Sequence, residues 1–459
     1  IKKNKKMNKK VLLTLGLFLV LVLVGYKLST NDKKEQQPFP DFGFMVDPGT
    51  VEQNHIPVFR LSQDYPTTIP ETDLPEFFKI DYQENWKEYL LAVQRYCFEG
   101  NTDVAFRPEL NKDRDWYHMP WQHYSANGRE GFHGLTKEAP VSVGQLGPDY
   151  TYSTGGAWAV GLYNDKGGYT IGKVWEDHLR PDAKKMEDMG GFPEGTVMFK
   201  LLFLSVPKDI VEEQVPYLQN GLWWEAYATY DFNTLDREEI EVVLIQMDVM
   251  VKDHRAPSGW ILGNYKYNGA MDKSDKFYNL VPVGIMWGDD PENTTNTSNP
   301  VPDSTYINLD LKQTIINPDR NELPPSHLGW NGRLNGPMDN PMSSCYSCHA
   351  TAEYPQISPI SPLFDATTSS YVPGSPEWMR WFDNYQCNSR FDEEAVPTDF
   401  SLQMAEALQN FNDWKTTKDG FFWQNYNIKG FDNEPEDLGR RNQPTVYDIE
   451  EEFEEEEGY

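Results

Sequence analysis

Cysteine and histidine are both scarce in this chain, with four and eight among 459 residues. Outside the close pair Cys345 and Cys348, the only cysteines are Cys97 and Cys387, far from the pair and from each other. A structural zinc site needs a second pair of ligands at short spacing, so a zinc reading of Cys345 and Cys348 is disfavoured. Basic residues are also few: 41 Lys and Arg stand against 71 Asp and Glu, a formal net charge of -30. That imbalance argues against nucleic acid or an anionic lipid surface as partner, because like charges repel; a basic protein partner is compatible with it. Internal repeats are lacking as well, so nothing points to a repeat architecture.

What is present is the run Cys345-Tyr346-Ser347-Cys348-His349. Two thiols three residues apart can reach the two vinyl groups of one haem, and the histidine that follows then ligates the iron. A thioredoxin-like dithiol would open a helix directly after a buried strand, whereas Pro337 to Pro341 precede this one. No second such motif exists, so the expectation is one covalently bound haem c per chain. Haem is loaded onto such motifs outside the bacterial cytoplasm. The expected place is therefore the extracytoplasmic side of the cell envelope, membrane-anchored or periplasmic.

The amino-terminal region agrees with export. Lys2, Lys3, Lys5, Lys6, Lys9 and Lys10 precede an apolar run from Val11 to Gly25, the pattern of a signal anchor or a signal peptide over residues 1–28. About twenty residues cross a bilayer, so Tyr26 and Leu28 would have to extend the run. The lack of a small-x-small cleavage site favours the anchor, with the positive flank inside. Residues 29–72 read as a tether leading into the globule, and residues 446–459 as an acidic disordered tail.

Between them the texture is α+β. Residues 73–300 read mainly as a large antiparallel β-sheet, opened by a helix around Tyr82 to Tyr96. Residues 301–445 read as the haem-binding segment with flanking helices. Strands are expected at Thr196–Ser205, Trp223–Tyr230, Glu241–Lys252, Trp260–Tyr267 and Val281–Trp287. Trp158–Tyr163, the turn signal Asn164–Gly168 and Tyr169–Trp175 read as a β-hairpin. Helices are expected at Pro376–Asn384 and Ser401–Lys415. A disulfide between Cys97 and Cys387 suits an oxidising compartment, the alternative being two free thiols.

Four pieces resemble the cytochrome P-460 and cytochrome c′-beta family. They are Gly191–Lys200, Met247–Asp253, Gly259–Gly263 and Cys345–His349, all within roughly a third of the chain. The resemblance implies a β-sheet haem domain. In the hydroxylamine-oxidising members, the lysine matching Lys200 is cross-linked to the haem. Leu201 stands where that family has an acidic residue, and some 110 residues follow the motif where it has few.

The sixth position on the iron would separate electron carrier from catalyst. Met404 is a candidate distal ligand, although it also reads as the apolar face of a helix; Met379 has the same ambiguity. His118, His123 and His133 cluster among aromatics. His118 or His133 could donate a proton or ligate, and Arg129 could grip a haem propionate. A metal site of the three histidines is a lesser alternative to a loop that uses them structurally. The first functional expectation is electron transfer with a redox partner protein in the envelope. The second is a haem oxidoreductase of the P-460 kind, acting on a small nitrogen oxide (hydroxylamine or nitric oxide) or peroxide at an open iron.

Overall fold

A computed structural model describes residues 59–122, 129–177, 180–234, 237–295, 305–362 and 371–416. The basic and apolar amino-terminal run, most of the tether, His123 and the acidic tail lie outside these residues. Among the described residues no helix is long and apolar enough to cross a membrane.

The centre is an antiparallel sheet of eight strands: β1 (Thr136–Pro140), β2 (Gly156–Tyr163), β3 (Val197–Ser205), β4 (Trp223–Ala228), β5 (Glu238–Lys252), β6 (Trp260–Tyr267), β7 (Leu280–Met286) and β8 (Thr314–Ile316). Their order is β1-β2-β3-β5-β6-β7-β8. The long β5 pairs with β3 along one edge; its other edge is shared by β6 near the C-terminal end and β4 near the N-terminal end. The α+β class read from the sequence is thus the observed one. β8 extends the sheet past residue 300, so the segment that carries the motif also supplies a strand.

Alternation over the first residues of β3 separates two faces. In β3, Val197, Phe199, Leu201 and Phe203 enter the larger apolar cluster, while Met198 enters a second one and Lys200 lies on its side. The helix α1 (Trp86–Phe98) packs on the first face. Its Leu90 comes so close to Gly263 of β6 that a Cβ there would sit 2.5 Å from Leu90 Cδ2. Residues from the remaining helices cover the second face: α2 (Asp165–Val174), α3 (Lys184–Met189), α5 (Cys345–His349) and α7 (Leu402–Thr416). The helix α4 (Lys208–Gln214) adds Val211 to the first cluster, and α6 (Pro376–Met379) adds Trp378 to a third, aromatic one. Two-residue strands β9 (Glu353–Tyr354) and β10 (Val396–Pro397) pair after the motif.

Three expectations are corrected. Tyr169–Trp175 is not the return strand of a hairpin, because residues 165–174 form α2. Both edges of β2 are already taken by β1 and β3, leaving no place for a third strand. Asn164 caps the helix instead, its side-chain oxygen accepting the Gly167 N–H at 3.1 Å. Gly168 lets the helix close on Tyr117, where a Cβ would meet the ring at 2.6 Å. Cys97 and Cys387 form no disulfide; both thiols are free. Cys97 is buried in the cluster under α1, whereas Cys387 packs beside Gly259 against the other layer. The helix expected over Pro376–Asn384 is also shorter, ending at Met379.

Candidate functional site

The motif occupies α5, a helix of a single turn that cannot stand by propensity alone. Its start is fixed by a capping box: Ser344 Oγ accepts the Ser347 N–H, and Ser347 Oγ accepts the Ser344 N–H. The Ser344 hydroxyl also donates to Asp289 at 2.8 Å. Asp289 in turn is paired with Arg333 at 3.1 Å, and both are fully buried. Burial pushes the Asp289 carboxyl up to about 7 against the pull of Arg333. Tyr346, Ser347 and Ala350 form the buried side of the turn, leaving Cys345, Cys348 and His349 half-exposed on the other. Neither motif thiol is in a disulfide, and the Cys345 thiol donates to Asn335 Oδ1 at 3.7 Å. Burial pushes the Cys345 thiol well up and the Cys348 thiol up to about 12, so both are held protonated.

His349 has one ring nitrogen engaged: Nδ1 lies 2.7 Å from the carbonyl oxygen of Phe400. That contact makes Nδ1 the N–H donor and leaves the Nε2 lone pair for a metal. Burial, with a smaller push from the Lys200 charge, moves the imidazole down to about 4 and so keeps it neutral.

Within electrostatic reach of Cys345 and His349 the sheet presents one row of paired residues, Gly161, Lys200, Asp248, Asn264 and Gly284. The row is polar at its centre and has no side chain at either end. Lys200 is the cation in a group of carboxylates. It pairs with Glu138 of β1 at 3.3 Å, with 30% of its side-chain surface still accessible. Burial opposes its charge, but Glu138, Asp248 and Asp339 outweigh it and hold the ammonium above its usual range. Burial and the neighbouring Asp339 raise the Asp248 carboxyl; burial and Glu138 raise that of Glu406 on α7. Gln246 of β5 ties the loop before the motif to this row. Its amide donates to Asp248 at 2.9 Å and to Asp339 at 2.9 Å, while its carbonyl accepts the Met338 N–H at 2.9 Å.

The carbonyl behind His349 belongs to an unusual turn. Asp399 and Phe400 are consecutive non-glycine residues with φ of 50° and 66°. Such residues cost about 1–3 kcal/mol each and persist only where the surroundings over-determine them. The strands β9 and β10 deliver the chain to this turn. Glu353 of β9 accepts the N–H groups of Phe391 at 3.1 Å and Asp392 at 3.0 Å. Burial, then Asp392, pushes Glu353 from its ordinary 4.5 up to about 7. A carboxyl raised on folding contributes stability that is complete below its unfolded value and lost as pH rises through the folded one. Glu353→Gln removes that titration. Urea titrations at pH 5 and pH 8 should therefore move the variant-minus-parent stability by about 1–2 kcal/mol in the variant's favour at the higher pH. An equal difference at both pH values refutes the assignment.

Of the residues expected at the site, the structure brings Lys200 within electrostatic reach of the motif and leaves others elsewhere. Met404 is fully buried in the apolar cluster on α7, four residues past the Phe400 carbonyl at the back of His349, which is the packing alternative. Met379 lies against the peripheral cluster of Trp330, Trp378 and Trp381. The Nδ1 of His118 accepts the Ser62 N–H at 3.0 Å, and its own carbonyl accepts from Tyr65 at 2.6 Å. Its ring packs edge-on against Phe59. His133 is stacked on Trp224 at 4.1 Å, and burial moves it down to about 3. Arg129 is buried and donates to the carbonyls of Gly134 and Met119. His118 and His133 are therefore engaged by Ser62 and Trp224, and Arg129 ties Met119 to Gly134. Among the described residues no group of three or more His, Cys, Asp or Glu is placed to hold a bare metal ion.

The residues that sequence reasoning missed are Asp248, Asp339, Glu138, Glu406 and Gln246. The signal that could have found the first was the polar Gln246 and Asp248 two apart within an otherwise apolar strand, Val242 to Val251.

No family model, curated protein or solved structure matches this chain.

Proposed function

We propose that this chain is an exported monohaem c-type cytochrome that carries electrons through one covalently bound haem. The observation that supports the reading is the donor set of α5. Two free thiols and an imidazole share its half-exposed side, and the Phe400 carbonyl reserves Nε2 of His349 for a metal. Cys345 and Cys348 would form the thioethers and His349 the proximal bond; the bound group supplies one-electron redox chemistry. The chain's own contribution is to fix the ligand ring, cover one face and set the local charge. Its acidity suits a basic redox partner in the cell envelope, and the amino-terminal apolar run suits attachment to the membrane on the extracytoplasmic side.

A second reading, turnover of a small nitrogen oxide or peroxide at an open iron, is favoured by one observation. The sheet row within electrostatic reach of the motif offers Lys200 and carboxylates rather than methionine or histidine, and Met404 is spent in the core. Lys200 would then be the proton-bearing group nearest the reaction, its ammonium held by Glu138.

The test is the visible spectrum of the purified protein, oxidised and reduced, with and without carbon monoxide. A sharp low-spin reduced spectrum indifferent to carbon monoxide is expected of a carrier. A high-spin spectrum that shifts with carbon monoxide selects the second reading. Protein without a haem spectrum refutes both.

A further inference from the structure

Behind the motif lies a buried ion pair that neither reading has used. Lys252, the last residue of β5, and Asp399 are 1% and 0% exposed, and the ammonium donates to both carboxylate oxygens at 2.8 and 2.7 Å. Asp399 Oδ1 also accepts the indole N–H of Trp260 at 3.0 Å, and Oδ2 accepts the backbone N–H of Phe192 at 2.7 Å. The Lys252 ammonium lies 4.9 Å from the centre of the Trp260 ring, which pairs with it across the sheet. Gly191, with φ of 90°, is required here: a Cβ at that position would stand 2.2 Å from Asp399 Oδ2. Four donated hydrogen bonds from three elements thus converge on one carboxylate. An isolated pair of this kind gives little net stability, since desolvating both charges offsets most of their attraction. What it does give is a fixed position for the residue that carries it.

That residue opens the left-handed Asp399–Phe400 turn, and the next carbonyl is the one 2.7 Å from His349 Nδ1. We propose that the Lys252–Asp399 pair is a positioning device for the proximal ligand: by clamping this turn it aims the Phe400 carbonyl at the imidazole. A ligand imidazole that donates a firm hydrogen bond is more electron-rich and binds the oxidised metal better; a loosened carbonyl weakens both effects. The inference rests on the haem reading above, for it assigns Lys252 and Asp399 a role only through His349.

The test compares the parent holoprotein with Asp399→Asn and with the double variant Lys252→Met, Asp399→Asn, in which no buried charge is left alone. Haem staining after denaturing electrophoresis comes first: an unstained parent overturns the haem reading itself. With haem attached in all three, the midpoint potential of both variants should rise, with thermal stability recorded alongside. A lower melting temperature with an unchanged potential reduces the pair to a structural role and overturns the proposal. If neither variant folds, the His349 ring N–H of the parent decides. Slow exchange with deuterated solvent is expected, and exchange at the rate of an open imidazole overturns the inference.

Discussion

Alanine at both Cys345 and Cys348 is expected to yield a folded protein that loses all haem on denaturing electrophoresis, with the parent expected to retain it. The structure gives two reasons why the fold should survive. Cys345 and Cys348 are partly buried at the margin of the second cluster, so removing each sulfur opens a small cavity there rather than in the centre of the core. The turn itself is held by the Ser344–Ser347 capping box and by Tyr346, whose hydroxyl donates to the Tyr385 carbonyl, and none of these involves a thiol. The chemistry is equally direct, since a thioether needs a sulfur: Cys97 is buried in the cluster on the opposite face, and Cys387, although it borders the same cluster as Cys345, is not part of the motif's turn. Haem staining of the double variant at the level of the parent would refute the central assignment. Single replacements should keep one thioether each and stain at a reduced level.

Lys200→Met has the other large expected effect, and its size depends on pH. Removing the ammonium leaves Glu138, Asp248 and Asp339 facing one another with their attraction to it gone. Breaking a buried pair costs about 3–5 kcal/mol, and the partial exposure of Lys200 brings the expectation to about 2–4 kcal/mol at pH 8. The Asp248 carboxyl is already raised by burial and by Asp339, and losing Lys200 raises it further. A carboxyl raised on folding contributes stability at low pH and loses it as pH increases, so the penalty should shrink toward pH 5. Chemical denaturation of both proteins at the two pH values reads it out. A penalty independent of pH would mean that the methionine disturbs packing rather than charge. The same variant addresses the cross-link that the P-460 resemblance implies. A red-shifted, broadened Soret band in the parent that reverts to an ordinary one in Lys200→Met would identify that bond. An ordinary band in both would place this lysine in electrostatics alone.

The strands that the sequence announced most clearly are those whose residues are apolar on both faces, β3, β5, β6 and β7. Their neighbours on the two sides are different, but each strand is buried from both, so the chain itself carries the pattern. The segment after β2 misled because Asn, Asp and Gly are turn formers and helix starters alike. Only the filled edges of β2 decide between the two. His118 and His133 were equally ambiguous. An imidazole buried to hold backbone groups and one exposed to a ligand have the same spelling, and neighbours such as Ser62 and Trp224 distinguish them.

By itself, then, the sequence determined the local chemistry: the thiol pair with its histidine at fixed spacing, the acidic excess, and the order of sheet and motif. Those properties follow from covalent neighbours and from periodicity, which are written along the chain. Tertiary structure alone decided what lies near the motif. Lys200 is 145 positions before Cys345, and Asp399 is 50 after His349. Sheet register places the first in a row with Asp248, and a left-handed turn clamped by Lys252 presents the carbonyl next to the second to the imidazole. Pairings at such separations depend on which edges remain open once the core has closed, and no short window of sequence contains that information.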